Sequence, residues 1–336
     1  MRAVTVRIAV LGAGSWGTAL AMQLARVGHS VQLWARDAAH VEAMRASREN
    51  SRYLPGAPLA DAITPLDDLD QALQGADRIL LAVPSSAFAG VLDQIAGRLD
   101  AGRGLAWATK GFEPGAGRLL SEAARERLGG SIPLAAVTGP SFAGEVAQGL
   151  PTAVTVGASE PEFGRSWAAL LHGSSFRAYY TADLVGVQLG GAVKNVLAIA
   201  CGMADGLGLG NNTRAALITR GLAELMRLGQ AMGADARTLM GLAGLGDLVL
   251  TCTGEASRNR RFGLALGRGN TPAKAMQAIG QVVEGYHAAE EVMRAAERAG
   301  VEMPISEQVH GILFHGWSAA KGVKVLMERE QKAETE

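Results

Sequence analysis

A glycine-rich turn near the N-terminus is the feature that most constrains the fold. Residues 6–11 form an apolar, β-rich run interrupted only by Arg7, which predicts a buried strand, and the following sequence GAGSWGTALAMQLARVG has apolar residues at helical spacing. Between them, Gly12, Gly14 and Gly17 form the pattern G-x-G-x-x-G. The first glycine allows a tight turn, the second lets the backbone approach a pyrophosphate, and the third permits close helix packing. The pattern predicts dinucleotide binding, and the alternative is a purely structural turn.

Strands and helices alternate as far as residue 181. Strand-like runs recur between helical or loop segments, at SVQLWA (30–35), RILLAV (78–83), GLAWAT (104–109), PLAAVT (133–138) and TAVTVG (152–157). This alternation predicts an α/β fold with an N-terminal, doubly wound parallel sheet of Rossmann type. After residue 181 long helical segments predominate, which predicts a second, all-helical domain at the C-terminus. We place the two domains at residues 1–182 and 183–336.

The composition limits the classes of function. Lys plus Arg equals Asp plus Glu at 32 each, so the chain lacks the basic field of a nucleic-acid-binding protein and any anion site must be local. No apolar run approaches the roughly 18 residues of a membrane span, and the N-terminus lacks an uninterrupted signal-peptide core, so we expect a cytoplasmic protein. Cys201 and Cys252 have no second Cys or His at metal-ligand spacing. We predict two reduced thiols that serve packing, and no metal site.

The end of the second strand indicates which cofactor binds. In NAD enzymes an acidic residue about 20 positions after the glycine pattern binds the ribose 2′-hydroxyl, whereas here the segment LWARD has Arg36. A guanidinium group suits a 2′-phosphate and can stack on adenine, so NADP(H) is the preferred cofactor and NAD(H) the second. In the alternative interpretation, Arg36 is solvated and Asp37 only caps the next helix. Tyr53, in NSRYLPG, either covers the adenine or packs on the surface.

A lysine on a helix of small residues is the candidate proton donor. In QLGGAVKNVLAIACG, Lys194 has only small neighbours on its face of the helix, namely Gly190, Gly191, Ala198, Cys201 and Gly202. This bare face predicts a groove with space for a substrate beside the ammonium group, and Asn195 adds a polar group there. In the alternative, the helix packs tightly through its small residues and the ammonium group reaches water.

Six ungapped segments carry a family resemblance over residues 6 to about 316. They are GAGSWGTALA, ATKGFEP, TGPSFAGEVAQGLPTAV, LGGAVKNVLAIACGMADGLGLGNNTRAALITRGLAE, GLAGLGDLVLTCTGEASRNRRFG and QVVEGY. Together they resemble bacterial NAD(P)-dependent glycerol-3-phosphate dehydrogenases. The resemblance implies reversible reduction of dihydroxyacetone phosphate to sn-glycerol 3-phosphate for glycerophospholipid synthesis. It also implies a Rossmann domain followed by a helical domain, and a homodimer.

The resemblance implies roles for individual residues. Lys194 matches the proton acceptor of the family, and Asp247 would hold a substrate hydroxyl or orient Lys194, unless it only caps a helix. Substrate contacts are implied for Lys110, Gly139, Ser141, Lys194, Asp247, Ser257, Arg258 and Asn259. Cofactor contacts are implied for Gly12, Gly14, Ser15, Trp16, Gly17, Arg36, Tyr53, Lys110, Ala143, Arg258, Val282 and Glu284.

The segment SRNRR gathers positive charge in a chain whose charges otherwise cancel. A hydroxyl, an amide and guanidinium groups at a helix start suit a phosphate dianion. We therefore expect Ser257, Arg258 and Asn259 to bind the substrate phosphate, with Arg258 also at the cofactor. Arg260 and Arg261 are expected to serve packing or surface pairs, because successive residues cannot all face one site.

Two other functions are compatible with parts of the sequence. One is a two-domain reductase of the 6-phosphogluconate dehydrogenase-like group, which would act on a hydroxy acid or keto acid. The other is a non-catalytic NADP(H) sensor whose helical domain binds a partner. Lys194, Asp247 and the SRN segment argue against the sensor, because a sensor needs no groups for proton transfer or phosphate binding.

Overall fold

The computed structural model describes residues 5–100, 102–330 and 333, and the chain divides into two spatial units. The first unit comprises the chain up to Glu113, Arg118–Gly191 and Ala234–Asp247. The second comprises Pro114–Gly117, Ala192–Gly233 and the chain from Leu248 onward. The chain thus passes between the units more than once, and its division into sequence domains at residue 182 stays a prediction.

Parallel strands dominate the first unit. In the described residues, the strands are β1 (Arg7–Leu11), β2 (Ser30–Trp34), β3 (Ile63–Leu66), β4 (Arg78–Leu81), β5 (Leu105–Trp107), β6 (Phe112–Glu113), β7 (Arg118–Leu119), β8 (Leu134–Thr138), β9 (Thr152–Ala158) and β10 (Phe176–Thr181). Strands β6 and β7 form an antiparallel hairpin, and the others form one sheet in the order β10-β9-β8-β5-β4-β1-β2-β3. Six of the seven neighbouring pairs in this sheet are parallel, which confirms the predicted fold class.

Helices cover the sheet and continue through the second unit. They are α1 (Ser15–Arg26), α2 (Ala38–Ser47), α3 (Leu69–Leu73), α4 (Ser85–Ile95), α5 (Leu120–Leu128), α6 (Ala143–Ala147), α7 (Pro161–Leu171), α8 (Leu184–Gly206), α9 (Gly210–Ala231), α10 (Ala236–Met240), α11 (Asp247–Thr253), α12 (Arg258–Gly267), α13 (Pro272–Ile279), α14 (Glu284–Ala299), α15 (Pro304–Phe314) and α16 (Ala319–Met327). From Leu184 onward the described residues contain helices and no strand, as predicted.

The sheet of the first unit is buried on both faces. Side chains alternate along β1, so Ile8 and Val10 pack in one apolar cluster with Leu20 of α1. Ala9 and Leu11 face the opposite side and pack in a second cluster. Because both faces are covered by helices, the inner strands are continuous apolar runs, which is why the sequence predicts them well.

One pair of strands departs from the predicted parallel arrangement. Strand β9 runs antiparallel to β8, with Ala135 opposite Ala158 and Thr138 opposite Thr155. The connection between them contains α6, a helix of 5 residues. A parallel crossover needs a dozen or more residues and usually a full helix to return the chain to the same end of the sheet. Residues 139–151 connect the two strands without a full crossover helix, and β9 runs antiparallel to β8.

The second unit packs its helices through buried polar contacts as well as apolar ones. Glu224 of α9 is buried, and its carboxylate accepts hydrogen bonds from the backbone N–H groups of Ile305 and Ser306. These are the second and third residues of α15, whose first N–H groups have no partner within the helix. Glu224 therefore caps α15 from a neighbouring helix.

Helix α8 meets the length and composition of a membrane span. It is the one such helix in the described part of the chain, although the sequence analysis found no apolar run of this length. Of its most apolar 18-residue window, 94% is buried inside the protein. The apolar character of α8 is thus accounted for by packing in the core.

Candidate active site

The glycine pattern forms the turn between β1 and α1. Gly12 has a φ of +121°, which favours glycine, and a Cβ there would lie 2.7 Å from the carbonyl oxygen of Ala82. A Cβ at Gly17 would lie 1.9 Å from the carbonyl oxygen of Gly12, so the helix packs directly on the turn. A Cβ at Gly14, in contrast, would meet no described atom within 4 Å beyond its chain neighbours, and no side chain caps α1. The open N-terminus of α1 fits the pyrophosphate of a dinucleotide.

A second turn is fastened to the glycine loop. The buried side-chain amide of Asn50 donates to the carbonyl oxygen of Ala13 (2.9 Å) and to Thr18 Oγ1 (2.7 Å). Ser15 Oγ donates to the carbonyl oxygen of Tyr53 (2.6 Å). These bonds hold residues 50–53 beside the start of α1, next to the site that Tyr53 is predicted to cover.

Trp16 lies in the first turn of α1 and is half-buried against the core of the first unit. Its indole Nε1 is buried and has no hydrogen-bond partner in the described part of the chain. The indole N–H is thus a donor that a bound ligand could satisfy.

Charged and aromatic side chains gather after the end of β2. Arg36 is exposed and forms no hydrogen bond or ion pair with the described residues. Asp37 accepts a hydrogen bond from the His40 amide (3.1 Å) and pairs with Arg52 (3.0 Å). The hydrogen bond from His40, with a further contribution from Arg52, lowers the pKa of the Asp37 carboxyl group. The Arg52 guanidinium lies 5.1 Å from the centre of the Tyr53 ring, and the His40 ring packs edge-on against the same ring.

A buried ion pair joins Lys110 and Asp247 in the first unit. Lys110 Nζ lies 3.0 Å from Asp247 Oδ2, and the Asp247 side chain is 1% exposed. Asp247 is the first residue of α11 and directly follows a π-helical turn over Leu242–Gly246. Such turns are frequent at functional sites. The arrangement places an ammonium group and a carboxylate, both able to bind substrate hydroxyls, in contact with each other.

The segment after β8 supplies three further predicted contact residues. Ser141 Oγ donates to the carbonyl oxygen of Gly139 (2.9 Å), and Ala143 is the first residue of α6. A Cβ at Gly139 would lie 2.8 Å from Val154 Cα, so only glycine allows this approach of β9. Open α/β sheets bind ligands beyond the carboxyl ends of their strands, which is where these residues lie.

Lys194 is buried in the second unit. The whole residue is 6% exposed, and its Nζ donates a hydrogen bond to Thr251 Oγ1 (3.0 Å). Thr251 belongs to α11 and is itself buried. A buried ammonium group must be hydrogen-bonded or paired, so the ammonium does not simply reach water as the alternative interpretation had it.

Two of the small residues on the Lys194 face are closely packed, and the groove predicted elsewhere on this face stays a prediction. A Cβ at Gly190 would lie 2.1 Å from the carbonyl oxygen of Ala243, within the first unit. A Cβ at Gly202 would lie 2.1 Å from the carbonyl oxygen of Arg260, within the second. The small residues therefore serve close backbone packing at these positions, and their small size leaves no groove there.

The two cysteines, Cys201 of α8 and Cys252 of α11, contact each other. Both Cys201 and Cys252 are buried free thiols. A hydrogen bond to Cys201, together with burial, raises the pKa of the Cys252 thiol. Buried thiols of this kind are unreactive, in agreement with the predicted packing role.

An amide network surrounds Asn195 and Asn259. Asn259 Nδ2 donates to Asn195 Oδ1 (2.8 Å), and Asn195 Nδ2 donates to Glu284 Oε2 (3.4 Å). Asn259 Oδ1 accepts from the backbone N–H of Gly285 (2.9 Å). The network thus joins two predicted site residues, Asn259 and Glu284, through a third polar group. Because an amide nitrogen carries two hydrogens, a ligand contact by Asn259 is compatible with this network.

The SRNRR segment begins a helix, as its predicted role requires. Ser257 is the N-cap of α12, and its Oγ accepts from the Arg260 amide (3.2 Å). Arg258 is half-buried and forms no ion pair or hydrogen bond with the described residues. Arg260 instead pairs with Asp205, whose side chain is 6% exposed, whereas Arg261 is exposed. The structure thus separates the structural Arg260 from Arg258, which has no partner among the residues that the structure describes.

Val282 and Glu284 lie on either side of the start of α14. Val282 is 53% exposed, and Glu284 is the first residue of the helix. An exposed apolar side chain at this point is available to pack against a ligand.

Comparison with known proteins places the chain in a family. The family model for the N-terminus of NAD-dependent glycerol-3-phosphate dehydrogenase matches residues 7–164, and the model for its C-terminus matches residues 183–324. A relative from Stenotrophomonas maltophilia named glycerol-3-phosphate dehydrogenase [NAD(P)+] is 59% identical over 98% of this chain and 96% of its own length. The chain belongs to the NAD-dependent glycerol-3-phosphate dehydrogenase family.

Further relatives agree with this family membership. A glycerol-3-phosphate dehydrogenase [NAD(P)+] from Xanthomonas campestris pv. campestris is 57% identical over 98% of this chain and 97% of its own length. The crystal structure of glycerol-3-phosphate dehydrogenase from Coxiella burnetii superposes with a TM-score of 0.93 at 49% identity, covering 97% of this chain and 99% of that chain. The predicted family, fold class, NAD(P) dependence and dehydrogenase activity on glycerol 3-phosphate are confirmed. The roles of individual site residues stay predictions.

The sequence did not indicate three polar residues that contact predicted site residues or their neighbours in this member of the glycerol-3-phosphate dehydrogenase family. Thr251 lies within the quoted TCT segment, but a threonine in an apolar run is ordinary for a helix. Asn50 and Arg52 shortly precede the predicted Tyr53, and their partners Ala13 and Asp37 are 37 and 15 residues away in the chain. The polar character of the NSRY segment was the available signal, since a buried asparagine must have hydrogen-bond partners.

Proposed function

We propose that the chain reduces dihydroxyacetone phosphate to sn-glycerol 3-phosphate with NADPH as the preferred cofactor, and that it also uses NADH. The reaction consumes the ketone, the reduced cofactor and one proton, and it forms the secondary alcohol and the oxidised cofactor. One observation carries the proposal: in a chain of this family, Lys194 is a buried ammonium group held by Thr251. Such a group can supply the proton and stabilise negative charge on the carbonyl oxygen.

The chain's own residues take the following parts. The nicotinamide supplies the hydride when the cofactor is bound. Lys194 donates a proton from Nζ to the carbonyl oxygen, and accepts it in the reverse direction. Lys110 and Asp247 bind the substrate hydroxyl, for which a carboxylate is an acceptor and an ammonium group a donor. The phosphate is bound by Ser257, Arg258 and Asn259, with further substrate contacts from Gly139 and Ser141.

The cofactor is bound mainly along the first strand and helix. The glycine loop holds the pyrophosphate, supported by the open N-terminus of α1. Arg36 binds the 2′-phosphate and Tyr53 covers the adenine. Further cofactor contacts come from Ser15, Trp16, Lys110, Ala143, Arg258, Val282 and Glu284.

We further propose a cytoplasmic homodimer that supplies sn-glycerol 3-phosphate for glycerophospholipid synthesis. The balanced charge and the burial of α8 support an enzyme that acts away from the membrane. Sedimentation equilibrium tests the oligomeric state directly, and a molar mass equal to one chain across micromolar concentrations would contradict the dimer.

The activity is tested by following NADPH and NADH oxidation with dihydroxyacetone phosphate, and their formation with sn-glycerol 3-phosphate. We expect turnover in both directions and a higher kcat/KM with NADPH. Pyruvate and related keto acids serve as competing substrates. Turnover of these acids without turnover of dihydroxyacetone phosphate would favour a hydroxy-acid reductase instead.

Replacing Arg36 by Ala should weaken NADPH selectively. A charge-assisted hydrogen bond contributes about 1.5–3 kcal/mol, so NADPH should lose at least about tenfold in affinity while NADH changes little. The measurement is the Kd of each cofactor by fluorescence titration. Arg36→Lys is the matched control, because it keeps the charge but loses bidentate geometry. Its Kd for NADPH should lie between those of the wild type and Arg36→Ala. Equal losses for both cofactors would show that Arg36 does not bind the 2′-phosphate.

A further inference from the structure

The loop after β2 carries an acidic residue in addition to Arg36. Strand β2 ends at Trp34, and Asp37 follows three positions later. In NAD-dependent Rossmann domains, an acid in this part of the fold accepts a hydrogen bond from the ribose 2′-hydroxyl. The same acid repels a 2′-phosphate. Asp37 is therefore a group that opposes the proposed preference for NADPH unless its charge is compensated.

Both carboxylate oxygens of Asp37 are already engaged. Oδ1 accepts from the His40 amide (3.1 Å) and caps α2, while Oδ2 lies 3.0 Å from Arg52 Nη1. The lowered pKa of this carboxyl group means that it is ionised at neutral pH, so its negative charge is compensated by Arg52 and is not removed by protonation.

Arg52 is held in place by the turn that contacts the glycine loop. Asn50 and Tyr53 on either side are bonded to Ala13 and Ser15, as described above. The guanidinium group also lies over the Tyr53 ring, 5.1 Å from its centre. The anchored turn and the contact with the Tyr53 ring thus keep Arg52 beside Asp37, on the side of the fold predicted to bind adenosine.

The ion pair between Arg52 and Asp37 contributes little to the stability of the fold. The side chains of Arg52 and Asp37 are 57% and 49% exposed, and exposed pairs contribute little to stability. The same exposure makes both groups accessible to a ligand. Two further titratable groups are in contact with this pair in the described part of the chain, the Tyr53 phenol and the His40 ring. The pKa of His40 is lowered mainly by burial and further by Arg52, so its ring is neutral at neutral pH, and the local charge is carried by Arg36, Asp37 and Arg52.

We propose that Arg52 determines cofactor specificity by pairing with Asp37. The pairing withdraws a carboxylate that would otherwise bind the ribose of NADH. Arg36 is then left to bind the 2′-phosphate of NADPH. The inference rests on the proposed preference for NADPH. Arg52 acts through Asp37 and does not itself contact the 2′-phosphate.

If this is so, the effect of replacing Arg52 on cofactor preference should depend on whether Asp37 is present. In Arg52→Ala, Asp37 Oδ2 is released, so NADPH should lose affinity and NADH should gain it. We expect the ratio of NADH to NADPH dissociation constants to fall by roughly tenfold, the effect of about 1.4 kcal/mol. In an Asp37→Asn background the released acid no longer exists, and Arg52→Ala should change the ratio less than about twofold. Asn is as good an N-cap as Asp, so this background keeps the start of α2.

The experiment is a double-mutant cycle on binding in the absence of substrate. Cofactor fluorescence gives Kd for NADPH and NADH with the wild type, Arg52→Ala, Asp37→Asn and the double variant. Calorimetry with adenosine 2′,5′-bisphosphate and 5′-AMP, which differ only in the 2′-phosphate, isolates the adenosine end. Arg52→Lys keeps the charge and should keep most of the wild-type ratio, which guards against a general effect of side-chain truncation on folding.

The outcomes separate this inference from the proposed function. A fall in the ratio that disappears in the Asp37→Asn background supports it. An equal fall in both backgrounds overturns it, because Arg52 would then contact the 2′-phosphate directly; an unchanged ratio in Arg52→Ala also overturns it. A wild-type enzyme that binds both cofactors equally contradicts the proposed NADPH preference, whereas the coupling between positions 37 and 52 is still measured by the cycle.

Discussion

Replacing Lys194 by Met is expected to slow hydride transfer by about 10⁴-fold or more while NADPH still binds. The variant loses both the proton donor and the positive charge beside the carbonyl oxygen, each of which commonly contributes on the order of 10²- to 10³-fold in rate. Met fills a similar volume, and the position is 6% exposed, so an isosteric apolar side chain should be tolerated in the fold. Single-turnover rates of NADPH oxidation with saturating dihydroxyacetone phosphate measure the effect.

Lys110 provides the matched control and the competing assignment. It is also a largely buried lysine: its ammonium group pairs with Asp247, and that of Lys194 donates to Thr251. Lys110→Met should mainly weaken substrate binding, and the pH dependence of its single-turnover rate should keep the wild-type form. If Lys194→Met retains near-normal hydride transfer with only its substrate affinity reduced, the proton donor is Lys110.

Most of the first unit could be predicted because its inner strands are buried on both faces. The two sheet strands that sequence patterns did not indicate are β3 and β10, and these are the two edges of the sheet. Strand β3 contains Pro65, which is tolerated at an edge but argues against a central strand. Strand β10 has exposed Tyr179 and Tyr180 and so lacks a continuous apolar run. Edge strands carry weaker patterns because only part of their surface is buried.

The candidate site was predictable where one short segment performs a complete task. The glycine pattern specifies its own turn, and the distances at Gly12 and Gly17 agree with the roles assigned to these residues. Contacts between distant segments have no such local signal: Lys194 and Thr251 are 57 positions apart, and Asn195 and Asn259 are 64 apart. The small residues around Lys194 illustrate the limit, because a missing side chain indicates a close approach without indicating whether backbone or ligand fills the space.

Replacing Arg258 by Ala should remove most of the enzyme's discrimination between dihydroxyacetone phosphate and dihydroxyacetone. Arg258 is the first residue of α12 and has no ion-pair partner in the part of the chain that the structure describes. A half-buried guanidinium group without a carboxylate is costly unless a ligand anion pairs with it, and the N-terminus of a helix favours the same anion. Loss of one member of a desolvated charge pair costs about 2–5 kcal/mol, so kcat/KM for the phosphorylated substrate should fall by roughly 30-fold to 4000-fold.

Discrimination between the two substrates is the decisive quantity, because a general defect would lower both rates. In Arg258→Ala the rate with dihydroxyacetone should change little, so the ratio of the two kcat/KM values should collapse. Arg261→Ala is the matched control: it removes the same side chain three residues later, at an exposed position. Arg260 does not serve this purpose, because its pairing with Asp205 means that its loss would leave a buried carboxylate with less compensation. If Arg258→Ala keeps the wild-type ratio, the phosphate is bound elsewhere, and Lys110 is then the next residue to replace, since its ammonium group is the other cation assigned to the substrate.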